Sequence, residues 1–139
     1  MRLRSGSALI LVVSLCAVLM TLAVILTKMV YNTYTTAVLI EQREAAFWLA
    51  EAGLEAGKVK LARNPGWYTD LQHYPEDDVR WLKAGAVGEG GSLPSGTFVI
   101  VREKDQARLY SIGSRGRVRV ILKIEFTTAP YETQSQTEL

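Results

Sequence analysis

SALILVVSLCAVLMTLAVILT, residues Ser7–Thr27, is a run of twenty-one residues without a formal charge. As an α-helix rising about 1.5 Å per residue it covers roughly 30 Å, the thickness of a bilayer's hydrocarbon core. The only hydroxyls in it belong to Ser7, Ser14, Thr21 and Thr27. A helix returns such groups to its own carbonyls, so they cost little in lipid. Arg2 and Arg4 stand before the run and Lys28 closes it. The expectation is a single-pass segment in the cytoplasmic membrane, its basic N-terminus held in the cytoplasm and the remainder sent outward. The run is longer than the apolar core of a secretory signal and has no small-x-small site before Lys28, so removal as an ordinary signal peptide is not expected.

Working outward, residues 1–6 form a short basic leader ending in Gly6, and residues 7–27 form the transmembrane half of a helix. The rest of the 139 residues suffices for one small extracytoplasmic domain. The net charge of +2 comes wholly from the leader: of 16 basic residues, removing Arg2 and Arg4 leaves 14, against 14 acidic ones. Overall charge therefore gives no reason to expect nucleic acid. Cys16, the only cysteine, lies inside the apolar run, which excludes an internal disulfide and a thiolate metal site. A domain this small, held by packing alone, gains from docking on a long helix or on neighbouring subunits.

Residues 28–63 continue as the amphipathic half of the helix. Ala45, Trp48, Leu49, Ala52, Ala56 and Val59 recur at spacings of three and four. Phe47, Ala50, Leu54 and Leu61 widen that stripe, and Glu44, Glu51, Glu55 and Lys58 fill the remaining surface. No proline precedes Pro65, and neither glycine nor proline breaks the segment around Thr33, Thr35 and Thr36. One helix is expected from about residue 7 to about 62, ended by Asn64-Pro65-Gly66.

Residues 64–96 form a variable region. Trp67, Tyr68, Leu71, Tyr74, Val79, Trp81 and Leu82 are candidates to anchor it on the core, and Glu76-Asp77-Asp78 to open a helical turn. Five glycines and Pro94 between Ala84 and Gly96 read as a flexible connection. Residues 97–128 read as an antiparallel sheet, with strands at 97–102, 107–112 and 117–127. In the last, Val118, Val120, Leu122, Ile124 and Phe126 face one way, and Arg117, Arg119, Ile121, Lys123 and Glu125 the other. That alternation predicts one buried face and one wet face, the buried one resting on the helix stripe. Residues 129–139 read as a loose polar tail. The fold class is α+β: a long N-terminal helix packed on a small antiparallel β-meander.

These pieces resemble type IV pilins and pseudopilins, most nearly minor pilins of the PilX-like kind. Ser5-Gly6-Ser7-Ala8-Leu9-Ile10 resembles a prepilin cleavage junction. Arg43-Glu44-Ala45-Ala46-Phe47-Trp48-Leu49-Ala50-Glu51-Ala52-Gly53-Leu54-Glu55 resembles the family's helix segment A-x-x-L-A-E-A-G-L-E. Leu109-Tyr110-Ser111-Ile112-Gly113-Ser114-Arg115-Gly116 with Arg117-Val118-Arg119-Val120 resembles its final strand pair. The resemblance covers residues 1–62 well, 97–127 less fully and 67–96 hardly at all.

It implies cleavage between Gly6 and Ser7 by a prepilin peptidase, methylation of the new amine, and transfer of the helix from membrane lipid into a bundle of other pilin subunits. The assembly surface so implied runs through Leu9, Leu11, Leu15, Leu19, Leu22 and Leu26. Two departures stand out. Ser7 replaces the bulky apolar first mature residue of major pilins, and Leu11 replaces their glutamate at the fifth mature position. Loss of that buried carboxylate resembles minor subunits at a filament tip, where no further subunit supplies its partner.

Other candidate sites are weaker. Arg115, Arg117 and Arg119, with Lys123, are a possible nucleic-acid contact or the solvated face of an alternating strand; no aromatics interleave with them. Glu76-Asp77-Asp78 lacks the alternating ligands and glycine of a calcium loop. His73 has no second histidine or cysteine with which to share a metal. Gly88-Glu89-Gly90-Gly91 lacks the Lys-Ser/Thr ending of a phosphate loop. Gly53 and Gly57 permit close approach of either another helix or the sheet. Glu51 and Glu55 sit one turn apart beside basic neighbours. No nucleophile–base pair emerges, so neither enzymatic activity nor a cofactor is expected. The rival readings are an uncleaved single-pass protein with a partner-binding outer domain, and a DNA-binding uptake pilin.

Overall fold

The chain is described by a computed structural model at residues 4–71, 82, 87–126 and 133–139. A single helix, α1, runs from Arg4 to Arg63 without interruption. The chain divides into two compact units at Val38/Leu39.

In the first unit α1 is exposed along its whole apolar run and is long and apolar enough to cross a membrane. Its hydroxyls are internally satisfied. Ser14 donates to the Ile10 carbonyl, Thr21 to Val18 and Thr27 to Ala23, each at 2.8 Å. Thr33, Thr35 and Thr36 do the same to Met29, Tyr31 and Asn32 at 2.9 Å. The threonines that lower helix propensity thus leave the helix intact.

In the second unit the last turns of α1 lie on a five-stranded antiparallel meander. Its strands are β1 (Glu89–Leu93), β2 (Gly96–Val101), β3 (Arg108–Arg115), β4 (Val118–Phe126) and β5 (Thr133–Glu138), in spatial order β1-β2-β3-β4-β5. The turn Gly116-Arg117 joins β3 to β4, and Gly116 takes a φ of 58°, a conformation glycine adopts without strain. α1 ends as the sequence predicts. Asn64 N–H still donates to the Lys60 carbonyl, and the Asn64 side chain then accepts from Gly66 N–H at 3.1 Å, turning the chain away.

Three readings need correction. The sheet is wider than residues 97–128. The glycine-rich connection contains β1, and the polar tail contains β5. Glycine in β1 serves close packing: a Cβ on Gly91 would strike the Phe98 ring. Glu89 is drawn to the end of α1 by an ion pair with Lys60 and by the Trp67 indole N–H, which donates to it at 2.9 Å. β5 has no apolar side chain and pairs with β4 through its backbone, aided by Arg43–Glu138 and by Gln136 donating to Glu51. Neither device leaves a hydrophobic pattern in the sequence.

The second correction concerns the face of α1. The buried positions are Ala46, Leu49, Ala50, Gly53, Leu54, Gly57 and Leu61, while Trp48 and Val59 are 62% and 50% exposed. The centre of the buried stripe is rotated about a third of a turn from the run Ala45, Trp48, Leu49, Ala52, Ala56 and Val59, onto the side where the sequence places the widening residues Ala50, Leu54 and Leu61. Both registers are apolar with the same spacing, so periodicity leaves the phase open; the sheet takes the register with the smallest side chains.

Third, the sheet's outer face is not simply wet. Val120, Leu122, Ile124 and Phe126 join Ile100 and Leu109 against α1, as the alternation predicts. On the opposite face Val101, Tyr110, Ile112 and Ile121 form a second apolar cluster with Leu82. The expectations for His73, Tyr74, Glu76-Asp77-Asp78, Val79 and Trp81 lie outside the described residues.

Candidate functional site

The candidate site begins at Gly6. A Cβ placed there meets no atom within 4 Å, so the fold itself makes no demand for glycine. Beyond it, Leu9, Leu11, Leu15, Leu19, Leu22 and Leu26 are between 50% and 67% exposed. At about 100° per residue, the last five fall within roughly 80° of one another and form one ridge, with Leu9 on another side. Cys16 is exposed on the same helix. Such a surface needs a cover of hydrocarbon or of other apolar helices, because bare it would expose far more contiguous apolar area than a soluble protein tolerates.

The second part of the site is where α1 meets the sheet. Gly113 of β3 lies against the helix backbone: a Cβ there would overlap the Ala46 carbonyl oxygen and approach Ala50 N to 2.5 Å. Gly53 faces Ser111, and a Cβ on Gly57 would enter Leu109. The pair Gly53/Gly57, which permits either a helix or a sheet to approach, is thus taken by this chain's own sheet. Two segments singled out separately in the sequence, 46–55 and 109–116, are pressed directly on each other.

Ser111 is fully buried, and its hydroxyl has no hydrogen-bond partner among the described residues. A buried hydroxyl left unpaired costs about 1–3 kcal/mol. Ser111→Ala is therefore expected to raise stability by about 1 kcal/mol in thermal or denaturant unfolding. It should also make Gly53→Ala markedly less damaging, because the Ser111 hydroxyl is what the new methyl would strike. A double-mutant cycle with no coupling between the two positions would contradict this geometry.

The three arginines do not form one stripe. Arg115 pairs in register with Val118, and Ser114 with Arg119, so Arg115 and Arg119 project from opposite faces, with Arg117 in the turn between them. Lys123 and Arg108 converge instead on Glu125, at 3.2 and 3.5 Å. Arg102, which follows β2 directly, is 8% exposed. It donates to the carbonyls of Pro65, at 2.9 Å, and Trp67, and lies over the Phe126 ring. Its backbone N–H donates to the Thr69 hydroxyl at 2.9 Å, and that hydroxyl donates back to the Arg102 carbonyl. Asp70, also buried, accepts from Val87 N–H. Sequence reasoning missed this clasp because a buried arginine looks like a surface one when charges are counted.

Burial raises the Tyr110 phenol above its ordinary value of 10, with Glu103 adding to the rise and Arg108 and Lys123 opposing it. Glu55 pairs with Lys58 at 2.6 Å. Trp48, off the core, stands edge-on to Phe47 beside an open groove of about 360 Å³ reaching Ile40, Arg43, Glu44 and Glu138. Among the described residues no cluster of His, Cys, Asp or Glu has the makings of a metal site. The sequence matches no protein-family model and no curated protein, and the fold matches no solved structure.

Proposed function

We propose that this chain is a minor type IV pilin or pseudopilin: a structural subunit, cleaved between Gly6 and Ser7, that joins or caps an extracytoplasmic filament through its N-terminal helix. One observation carries the reading. A single unbroken helix is bare and apolar over its first part and supplies the core of a sheet domain over its last part. A subunit that must wait in lipid and then enter a helix bundle needs both halves, and the same apolar surface suits either surrounding. Ser7 and Leu11, in place of a bulky residue and a glutamate, favour a tip position, where no neighbouring amine requires a carboxylate.

The test is the mass and N-terminal sequence of the mature chain from cells with and without prepilin peptidase. The expected result is a chain starting at Ser7 only when the peptidase is present. Gly6→Leu should abolish that processing while changing the stability of the sheet domain by less than about 0.5 kcal/mol, since nothing in the fold crowds residue 6. A chain that keeps Arg2 and Arg4 in both strains would make it an uncleaved membrane anchor instead.

A further inference from the structure

From the residues that follow the apolar run, we infer that Tyr31 and Tyr34 form a lipid-interface anchor, with their rings in the phospholipid carbonyl and headgroup layer where α1 leaves the bilayer. The inference rests on the membrane-spanning reading of residues 7–27. If Lys28 marks the end of the hydrocarbon, Tyr31 and Tyr34 lie about 4.5 and 9 Å further along the helix axis. Helical side chains lean toward the N-terminus, which brings both rings back toward the bilayer. The headgroup layer is roughly 5–8 Å deep on each side, so both rings fall within or beside it.

The local structure suits this layer. Both tyrosines are 69% exposed, and together with Leu26, Thr27 and Val30 they line an open groove with an almost wholly apolar floor. Among the described residues neither phenol hydroxyl has a hydrogen-bond partner, whereas the hydroxyls of Thr27, Thr33, Thr35 and Thr36 are turned inward to helix carbonyls. The outward-facing polar groups of these turns are therefore the two phenols, the Lys28 ammonium and the Asn32 amide, all of them groups that a headgroup layer can solvate. An apolar body with a hydrogen-bonding tip, beside a cation, is the chemistry that phospholipid esters and phosphates satisfy at a membrane surface. Continuity with the bare apolar run selects lipid, rather than a soluble partner, as the cover.

The test places single nitroxide labels, through cysteine substitution at residues 18, 29, 32, 36 and 39 of the full Cys16→Ala chain, in phosphatidylcholine vesicles. Relaxation by oxygen reports lipid, and relaxation by a water-soluble nickel chelate reports water. The expected crossover lies between residues 29 and 36. Tyr31→Ala with Tyr34→Ala should shift it by about one helical turn, roughly 5 Å, and Tyr31→Trp with Tyr34→Trp should hold it in place. A crossover unmoved in the double alanine chain would overturn the anchor. So would spin–spin broadening at residues 29 and 32 that vanishes on lipid dilution, since a second copy would then be the cover. A label at residue 18 that meets nickel before oxygen would instead overturn the membrane-spanning reading itself, and this inference with it.

Discussion

Replacing Gly113 by valine is expected to cost the sheet domain about 4 kcal/mol, a large part of the 5–15 kcal/mol that holds a typical domain together. The position has no room to relax. A Cβ at residue 113 overlaps main-chain atoms of α1, the Ala46 carbonyl and the Ala50 nitrogen, and a helix backbone cannot swing aside as a flexible side chain can. The strand must lift from the helix. That would loosen Leu54, Leu109, Val120 and Leu122, all now nearly inaccessible to water. Alanine should already cost about 2–3 kcal/mol, in the range of overpacked cores. The control is Gly90→Ala in β1, where the nearest atom to a new Cβ is the Phe98 carbonyl oxygen at 3.7 Å, an ordinary contact. Gly90→Ala should be neutral within about 0.5 kcal/mol. Equal losses at 90 and 113, in thermal unfolding of the full chain in detergent, would show that strand propensity rather than the helix contact sets the cost.

This contact also marks how far the sequence could be read. The apolar run, the unbroken helix, its stop at Asn64-Pro65-Gly66 and strands β2 to β4 follow from local rules, because length, alternation and turn residues act over a few positions. The phase of the helix followed only in part: Leu49, Ala50, Leu54 and Leu61 are in the core, but Trp48 and Val59 are not. Hydrophobic counting favours the stripe through Trp48 and Val59, since glycine scores as nothing, yet the sheet settles on Gly53 and Gly57 because they let it come closest. β1 and β5 were illegible for a related reason. EGGSL and TQSQTE are held by backbone pairing, a Phe98 ring over Gly91, and polar links from Glu89, Gln136 and Glu138 to α1. None of these leaves a period in the sequence. Of the candidate site, the exposure of Leu9, Leu11, Leu15, Leu19, Leu22 and Leu26 was legible from the uncharged run, and helical spacing sets the last five on one ridge. The arginine stripe fails for a reason visible only in register: residues 115 and 119 are four apart, but the two-residue turn between the strands sets them on opposite faces.

Arg102→Met is expected to have the second large effect, a loss of about 3–4 kcal/mol. Hydrogen bonds from a charged donor are worth about 1.5–3 kcal/mol, and the loss is greatest when the acceptors left behind are shielded from water. Here one guanidinium serves the carbonyls of Pro65 and Trp67, fastening the segment that leaves α1, while its central carbon lies over the Phe126 ring at 5.5 Å from the ring centre. Methionine keeps most of the stem's packing but none of the donors. Lysine keeps the charge, but its ammonium ends one atom short of the terminal guanidinium nitrogen that serves both carbonyls, so Arg102→Lys should recover only part, leaving a loss of about 1–2 kcal/mol. Arg119→Met, on an exposed arginine of β4, is the control and should stay within about 0.5 kcal/mol. Limited proteolysis separates this clasp from a general loss of stability. If Arg102 pins the segment, cleavage in Arg102→Met should begin near residues 64–71 under conditions where β2 to β4 still resist. Cleavage starting within the sheet, or equal stability of Arg102→Met and Arg119→Met, would mean that the segment is held by its backbone bonds from Thr69 and Asp70 to the Arg102 carbonyl, which the substitution leaves in place.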